Sequence, residues 1–490
     1  MSFKIKAALA GFLILFCIAF AVVESRQQQL QQQLDLFSEF YTMLDKNYVD
    51  TLNLPDLMKR SMRKTLGELD PYSNYYDAEE TKKRDNDWKG ILYAGIGSTV
   101  KQTDSGVVIV EPTEGLAAVK AGLRAGDLIL EINHQNVQHL VLDSVIRRLK
   151  GNEGDSIQLT LQRPLKGVIH KAFKRENITS KAVPLYYLQN DSVGYILFAH
   201  FLSGSAKALK GAVVDLKTRG MKKLVLDMRG NNGGLVEECA SALSIFFPPG
   251  KLVCSLRLKD STANYSYKTS DTPVDTTLPI IILTDRHTIS SGEIFAGCMK
   301  DFKRATLIGD RTYGKGFVQG TRFFKNGQTL YVTVARYYTP SGNFIGAKGV
   351  DPDIHHATAD TLPAHLQAVI NSGIISEYSI QYRNNRPDEG VFDGDISFNS
   401  FKSFYLSKLS AIKFPEESSI GDLDIYPSAK ALKAEIKNRK QQLLTVYQKE
   451  LETEIRKEIL KRYYQFTKAG QIGFEQSGMH RFLSSHNYAW

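Results

Sequence analysis

Apolar positions along the chain change period several times, and each change marks an element. From Ala7 to Val23 the run is unbroken and uncharged, with Lys4 and Lys6 before it and Glu24 and Arg26 after it. A basic flank followed by an apolar stretch is the pattern of an export segment. Ala19-Phe20-Ala21 offers a small-residue cleavage site, yet the run is also about the shortest that spans a bilayer, so a removed signal peptide and a retained anchor both fit. Cys17 follows the bulky Phe16 and is a poor lipid attachment site. Next, Leu30, Leu34, Phe37, Tyr41, Leu44 and Tyr48 recur at alternating spacings of four and three. That is the seam of a coiled coil or the face of an ordinary packed helix. A second helix follows Pro55, with Leu57, Met58, Ser61, Met62, Thr65 and Leu66 expected on its buried side. It ends before the turn Leu69-Asp70-Pro71-Tyr72-Ser73-Asn74-Tyr75.

From residue 92 to 165 the period shortens to that of strands: Val107–Val110, Leu128–Ile132, and Ser156–Arg163 with Ile157, Leu159 and Leu161 alternating. A helix is predicted over Leu140–Leu149. A stretch rich in Lys and Gly then reads as a linker. Beyond it a β/α series begins with the strand Val193–Phe198, followed by the strand Lys223–Met228, the glycine-rich loop Arg229–Gly234 and a helix carrying Leu235, Val236, Cys239, Ala240, Leu243 and Phe246 up to Pro248-Pro249. The β-branched run Pro279–Leu283 predicts a buried strand that hands over to a helix at Thr288–Glu293, and Leu330–Tyr337 alternates as a further strand. Arg386–Gly390 reads as a loop. A long amphipathic helix is predicted from Ser428 to Phe466, its apolar line Leu432, Ile436, Leu443, Tyr447, Leu451, Ile455 and Ile459 and its i,i+4 pairs Glu435/Arg439, Glu452/Arg456 and Glu458/Arg462.

Composition narrows the class. At 490 residues the chain is too long for one domain, and 42% hydrophobic residues suffice for several cores. The net charge of +10 is dispersed apart from basic tracts at residues 59–64 and 430–462, which suits solvated helix faces and gives no indication of a nucleic-acid partner. Four cysteines, Cys17, Cys239, Cys254 and Cys298, show no metal-ligand spacing and no disulfide framework. Cys239 and Cys298 fall on apolar helix faces and read as core.

Candidate chemistry concentrates in residues 280–320. Ser290 lies where a strand meets a helix, so free amide groups of the first turn and the positive end of the helix dipole would favour an oxyanion beside it. Ser290 with Glu293 is also a capping-box pair, which needs no catalysis. Lys315 sits between Gly314 and Gly316 among aromatic and apolar neighbours. Burial there would disfavour its charged form and let it act as a base towards a serine. Gly309 to Lys315 fits the phosphate-loop pattern G-x-x-x-x-G-K. Gly316, however, stands where such a loop needs Ser or Thr, which argues against nucleotide binding.

The blocks T-x-S-x-x-E at Thr288–Glu293 and T-Y-G-K-G-x-x-Q at Thr312–Gln319 resemble those of the C-terminal processing, or tail-specific, proteases, serine peptidases with a Ser/Lys dyad. Ile289, Ser291 and Gly292 depart from the family's usual letters. By that resemblance Ser290 matches the nucleophile, Lys315 the base and Gln319 the residue that orients the lysine, while Asp301 and Thr312 take supporting places. Asp227–Gly234 resembles the family's D-x-R-x-N-x-G-G, which implies an oxyanion hole from the amide of Gly233 or Gly234 and that of Ser291. Gly95-Ile96-Gly97 with Ala121–Asp127 and the following helix resemble a PDZ domain, whose glycine loop takes a peptide carboxylate. The turn at Leu69–Tyr75 and the segments Tyr338–Gly342 and Gly349–Asp353 also match family blocks. From about residue 360 the resemblance fades.

The expected fold is therefore multidomain α+β. Residues 1–24 form a signal peptide or membrane anchor, 25–90 a helical N-terminal region, 92–165 a PDZ domain, 166–358 a crotonase-like α/β serine protease core, and 359–490 a mostly helical C-terminal region. The expected function is an exported serine endopeptidase of the periplasm or cell envelope. It would read the free, apolar C-terminus of protein substrates, with no metal or organic cofactor and no nucleic acid, and as a homodimer if the first helix pairs. Against it stand a catalytically idle PDZ adaptor at the membrane and a lyase or hydratase using the same strand/helix core. A Ser-His-Asp triad through His287 is disfavoured by the resemblance to the Ser/Lys family.

Overall fold

Strands buried on both faces read as nearly continuous apolar runs, and Ile280–Thr284, apolar up to Leu283, is buried at all five positions. In the computed structural model, which describes residues 26–485 except 104, 165, 347, 357–361, 387–390, 393, 395, 420–426, 463–465 and 476, this strand lies inside a six-stranded sheet. The export segment, with its cleavage site, and most of the 386–390 loop lie outside the described residues. Sheet order is Leu185–Gln189, Val193–Leu197, Lys223–Asp227, Ile280–Thr284, Thr306–Gly309, Ile354–His355. The first pair is antiparallel and the rest are parallel.

Side chains alternate between two covers. Ile196, Leu224, Leu226, Ile280 and Ile282 point to one face, where helices Ser205–Thr218, Val236–Leu243 and Ser291–Asp301 pack. Val193, Tyr195, Val225, Ile281, Leu283 and Ile308 point to the other, against Phe474, Met479 and Leu483 of helices Phe466–Glu475 and Gly478–Ser485. Gly470 comes so close to the sheet that a β-carbon there would meet Leu185 Cδ2 at 2.7 Å.

A second sheet holds, in order, Ser98–Thr103, Gly106–Pro112, Leu128–Ile132, Ser156–Arg163 and Gly167–Lys174 around its own core of Val107, Ile109, Ile129, Ile157, Leu159 and Leu161, capped by helix Leu142–Leu149. The stretch after residue 165, expected as a linker, is thus its last strand, paired along its length with Ser156–Arg163. Ile169 and Phe173 face the core while Lys174 faces solvent, so the lysines that suggested a linker belong to an edge strand. Asp127, fully buried, takes two bonds from Arg163 at 2.8 and 2.7 Å and one from the Arg124 amide, which accounts for the aspartate that closes the segment Ala121–Asp127.

The long C-terminal helix is two, Pro427–Val446 and Gln448–Arg462, meeting at Tyr447. They serve different neighbours. Tyr405 donates to the Lys440 carbonyl on the first, and the second packs along Ile374–Asn384. Arg462, buried, donates to Ser379, Ser376 and the Val110 carbonyl of the small sheet.

Residues 26–81 and 319–333 form a separate compact unit. In it the helix over 26–47 leaves Leu30, Leu34 and Phe37 exposed and buries Tyr41, whose hydroxyl meets Ser61 Oγ at 2.6 Å, so the apolar line is no ordinary packed face. Helix Leu54–Gly67 buries no residue fully, against expectation, and Met58 and Thr65 are exposed. Its polar side holds it instead. Lys59 pairs with Asp77, and Arg63 reaches Glu80 and the Tyr75 carbonyl.

Candidate active site

Leaving the strand Ile280–Thr284, the chain must turn into helix Ser291–Asp301, and the turn is stapled to the glycine loop at 228–234. Asp285 accepts from the Gly230 amide, Thr288 Oγ1 donates to the Met228 carbonyl at 2.9 Å, and the Ile289 amide donates to the Asn231 carbonyl at 2.8 Å. Ser290 is left at φ 58°, ψ −118°. A serine held there costs about 1–3 kcal/mol, which surrounding structure must offset.

Glu293 supplies much of that support. Its carboxylate, fully buried, accepts from the Ser290 amide at 2.9 Å, the Lys315 amide at 2.8 Å, the Gly314 amide at 2.6 Å and the Thr312 hydroxyl at 2.6 Å. Burial raises its pKa, and these four bonds oppose the rise. The capping box expected from S-x-x-E is therefore real on the Glu293 side, and the same carboxylate also fastens the Thr312–Lys315 loop to the serine turn. Ser290 Oγ meets the hydroxyl of Tyr337 at 2.9 Å. Ser291 is fully buried, and its hydroxyl donates to the Gly234 carbonyl at 2.8 Å.

Gly233 fits because it has no side chain. At φ +83° a β-carbon would meet the Ile289 carbonyl at 2.6 Å and Ser290 Cβ at 2.8 Å. Its amide donates to Asn231 Oδ1 at 3.0 Å, while the other end of that buried side chain donates to the Phe198 carbonyl. Asp227, at the loop's start, is buried and accepts from Tyr195 and Arg229, an anchoring role. Among the described residues no group of three or more His, Cys, Asp or Glu is arranged to hold a metal ion, and Cys239, Cys254 and Cys298 are buried free thiols.

Residues 192–356 match the model of peptidase family S41, and residues 87–162 match that of the PDZ domain. Residues 192–356 form a peptidase family S41 domain. It is 33% identical over 332 residues to a probable CtpA-like serine protease of Staphylococcus aureus (strain MRSA252), covering 68% of this chain and 66% of that one. It is 31% identical over 324 residues to one from Staphylococcus haemolyticus (strain JCSC1435), covering 66% and 64%. The chain thus spans just under two thirds of the length of these curated relatives. A solved photosystem II D1 C-terminal processing protease is 27% identical with a TM-score of 0.40, over 69% of this chain and 90% of that one.

The other expected residues of the chain fall as follows. Asp301 is at the far end of the serine's helix, about 15 Å along an α-helix of that length, and accepts from the Ser341 amide, so it braces the turn at 339–342 and not the serine. The Gln319 side chain donates through Nε2 to Thr333 Oγ1 at 3.3 Å. His287 is exposed. Gly95, Ile96 and Gly97 line a cavity of about 310 Å³ between the edge strand Ser98–Thr103 and helix Leu142–Leu149, with Val100, Ile146, Leu149 and Ile178 as apolar walls and Lys150 among its lining residues. Gly97 has φ +73°.

Two residues escaped the sequence reading. Tyr337 looked like one more strand position, and Asn231 like one more turn residue. For Asn231 the D-x-R-x-N-x-G-G block held a signal. For Tyr337 nothing in the local pattern separates a core tyrosine from one whose hydroxyl reaches a serine.

Proposed function

We propose that the chain is a serine endopeptidase that takes the C-terminal tail of a protein substrate in its PDZ groove and cleaves with Ser290 and Lys315. The observation that carries this reading is the single Glu293 carboxylate bonded to the backbone amides of both residues. A capping pair alone has no use for the second bond. Lys315 takes the Ser290 proton as Oγ adds to the substrate carbonyl. The amides of Ser291 and of the glycine loop hold the oxyanion, the lysine returns the proton to the leaving amine, and water releases the acyl group. Of the two glycines, Gly234 is favoured as donor because the Gly233 amide is engaged by Asn231. Gln319 orients the lysine and Thr312 braces its loop. The groove beside Gly95–Gly97 suits an added strand ending in an apolar residue, its carboxylate on the loop amides. The reaction runs outside the cytoplasmic membrane, as the segment at 7–23 implies.

The test is degradation of a loosely folded reporter with an apolar C-terminus, free or amidated, by the full chain and by its Ser290→Ala and Lys315→Ala variants. Both variants should lose cleavage, and amidation should weaken it. Tail binding without cleavage by the parent protein would sink the peptidase reading in favour of the adaptor.

A further inference from the structure

One residue of the strand Thr329–Tyr338 bonds both to Ser290 and to the glycine that follows Lys315. The Tyr337 amide donates to the Gly316 carbonyl at 3.0 Å, next to Lys315, and its hydroxyl lies 2.9 Å from Ser290 Oγ. The ring is 2% exposed and packed in the main core, so it cannot swing away. Gly316 is equally fixed, since a β-carbon there would meet the Gly346 amide at 2.3 Å.

We infer that Tyr337 is a third catalytic residue of the Ser290–Lys315 reaction, donating its hydroxyl hydrogen to Ser290 Oγ. This rests on the dyad proposed above. A serine hydroxyl has one hydrogen and two lone pairs. If Tyr337 donates into one lone pair, the serine hydrogen is directed elsewhere and the second pair is left for the substrate carbon. As the proton passes to Lys315, Oγ gains charge, and the phenol bond strengthens where charge develops. When the C–O bond has formed, the oxyanion charge lies on the carbonyl oxygen and the tyrosine has kept its proton throughout. In deacylation the same bond steadies Ser290 as it leaves the acyl carbon and recovers a proton from Lys315. Burial, with Glu293, Cys239 and Cys254 nearby, pushes the phenol above its ordinary pKa, which keeps it a donor across the working range.

The test compares the full-length parent with Tyr337→Phe, which keeps the buried ring, and with Ser290→Ala. Readouts are kcat and KM on a peptide, the rate of labelling by a phosphonofluoridate, and thermal unfolding. Phe at 337 should lower kcat and the labelling rate about 10- to 100-fold, the range for losing a hydrogen bond to a charged oxygen. KM, Tm to within a few degrees and the pH midpoint set by the lysine should stay as they were. A structural disturbance of the lysine loop would instead shift that midpoint and overturn the inference. An unchanged or faster rate with Ser290→Ala inert would also overturn it, the faster case meaning that the contact parks the serine. Labelling that survives Ser290→Ala would remove the nucleophile assignment itself.

Discussion

The six-stranded sheet has two faces of similar apolar character and quite different content. On one, three helices bring the turn of Ser290, the glycine loop and a cover that includes Cys239 and Phe295. On the other, two short helices from beyond residue 465 bring the apolar side chains of Phe474, Met479 and Leu483. Both burials are of the same kind, so stability draws on both faces, while the proposed chemistry draws on one. Apolar cover can come from any segment with the right stripe. A strained serine turn can come only from residues whose amides, hydroxyls and missing side chains match one geometry.

Substitutions should separate the two faces. Glu293→Gln is expected to be the most damaging. The amide offers one oxygen to donors now spread over two and turns an N–H group towards the rest, so kcat/KM should fall at least about 100-fold and stability by about 2–4 kcal/mol. Its pH signature has a definite sign. Burial raises the Glu293 pKa, so the folded chain keeps that proton to higher pH than the unfolded one. The associated stabilisation is complete below the ordinary carboxylate pKa and lost as pH rises through the raised value. Denaturant titrations of parent and variant should therefore converge as pH rises through that window, and a gap that widens would refute the assignment.

Gly233→Ala comes next. Its β-carbon would press on Ser290, so turnover should fall about 100-fold with a smaller change in Tm. Leu483→Ala tests the opposite face and should cost about 2–5 kcal/mol in urea unfolding while kcat in the native baseline changes less than about twofold. A large loss of kcat at native conditions would show that the rear cover communicates with the serine turn. Smallest of all, Leu34→Gln lies on an exposed helix face and should stay within about 0.5 kcal/mol in the monomer. Sedimentation of the same variant tells whether that face pairs with a second copy.

The legibility of the sequence divides along the same line. Wherever backbone geometry demanded a particular residue, the order of letters was informative: Gly233 and Gly234 in the loop, Asp127 in its turn, Ser290 before its helix. Where only burial mattered, the pattern showed that cover was needed but not its source. Ile280–Leu283, apolar at each position, required packing on two sides, and nothing in Phe474 or Leu483 announces which strand they meet. The strand Gly167–Lys174 is hard to read for a related reason, because this edge strand carries Lys171 and Lys174 among its apolar positions and so imitates a linker. The helix Leu54–Gly67 misled in the other direction. Its periodic apolar residues suggested a buried face, but Lys59 and Arg63 hold it by charge. In the sequence Glu293 reads as a cap, because its second set of partners, at 312–315, lies in a loop some twenty residues away.

The rear cover has a consequence for the order in which the molecule can be made. Among the described residues, the strands that begin at Leu185 find their second cover in helices Phe466–Glu475 and Gly478–Ser485, and Gly470 is seated directly on Leu185. Contacts so distant in sequence are slow to form, and synthesis proceeds from the N-terminus. The sheet beneath Ser290 therefore stays open on one side until the chain has been made almost to residue 485. A newly made chain would thus complete the sheet that carries the Ser290 turn last.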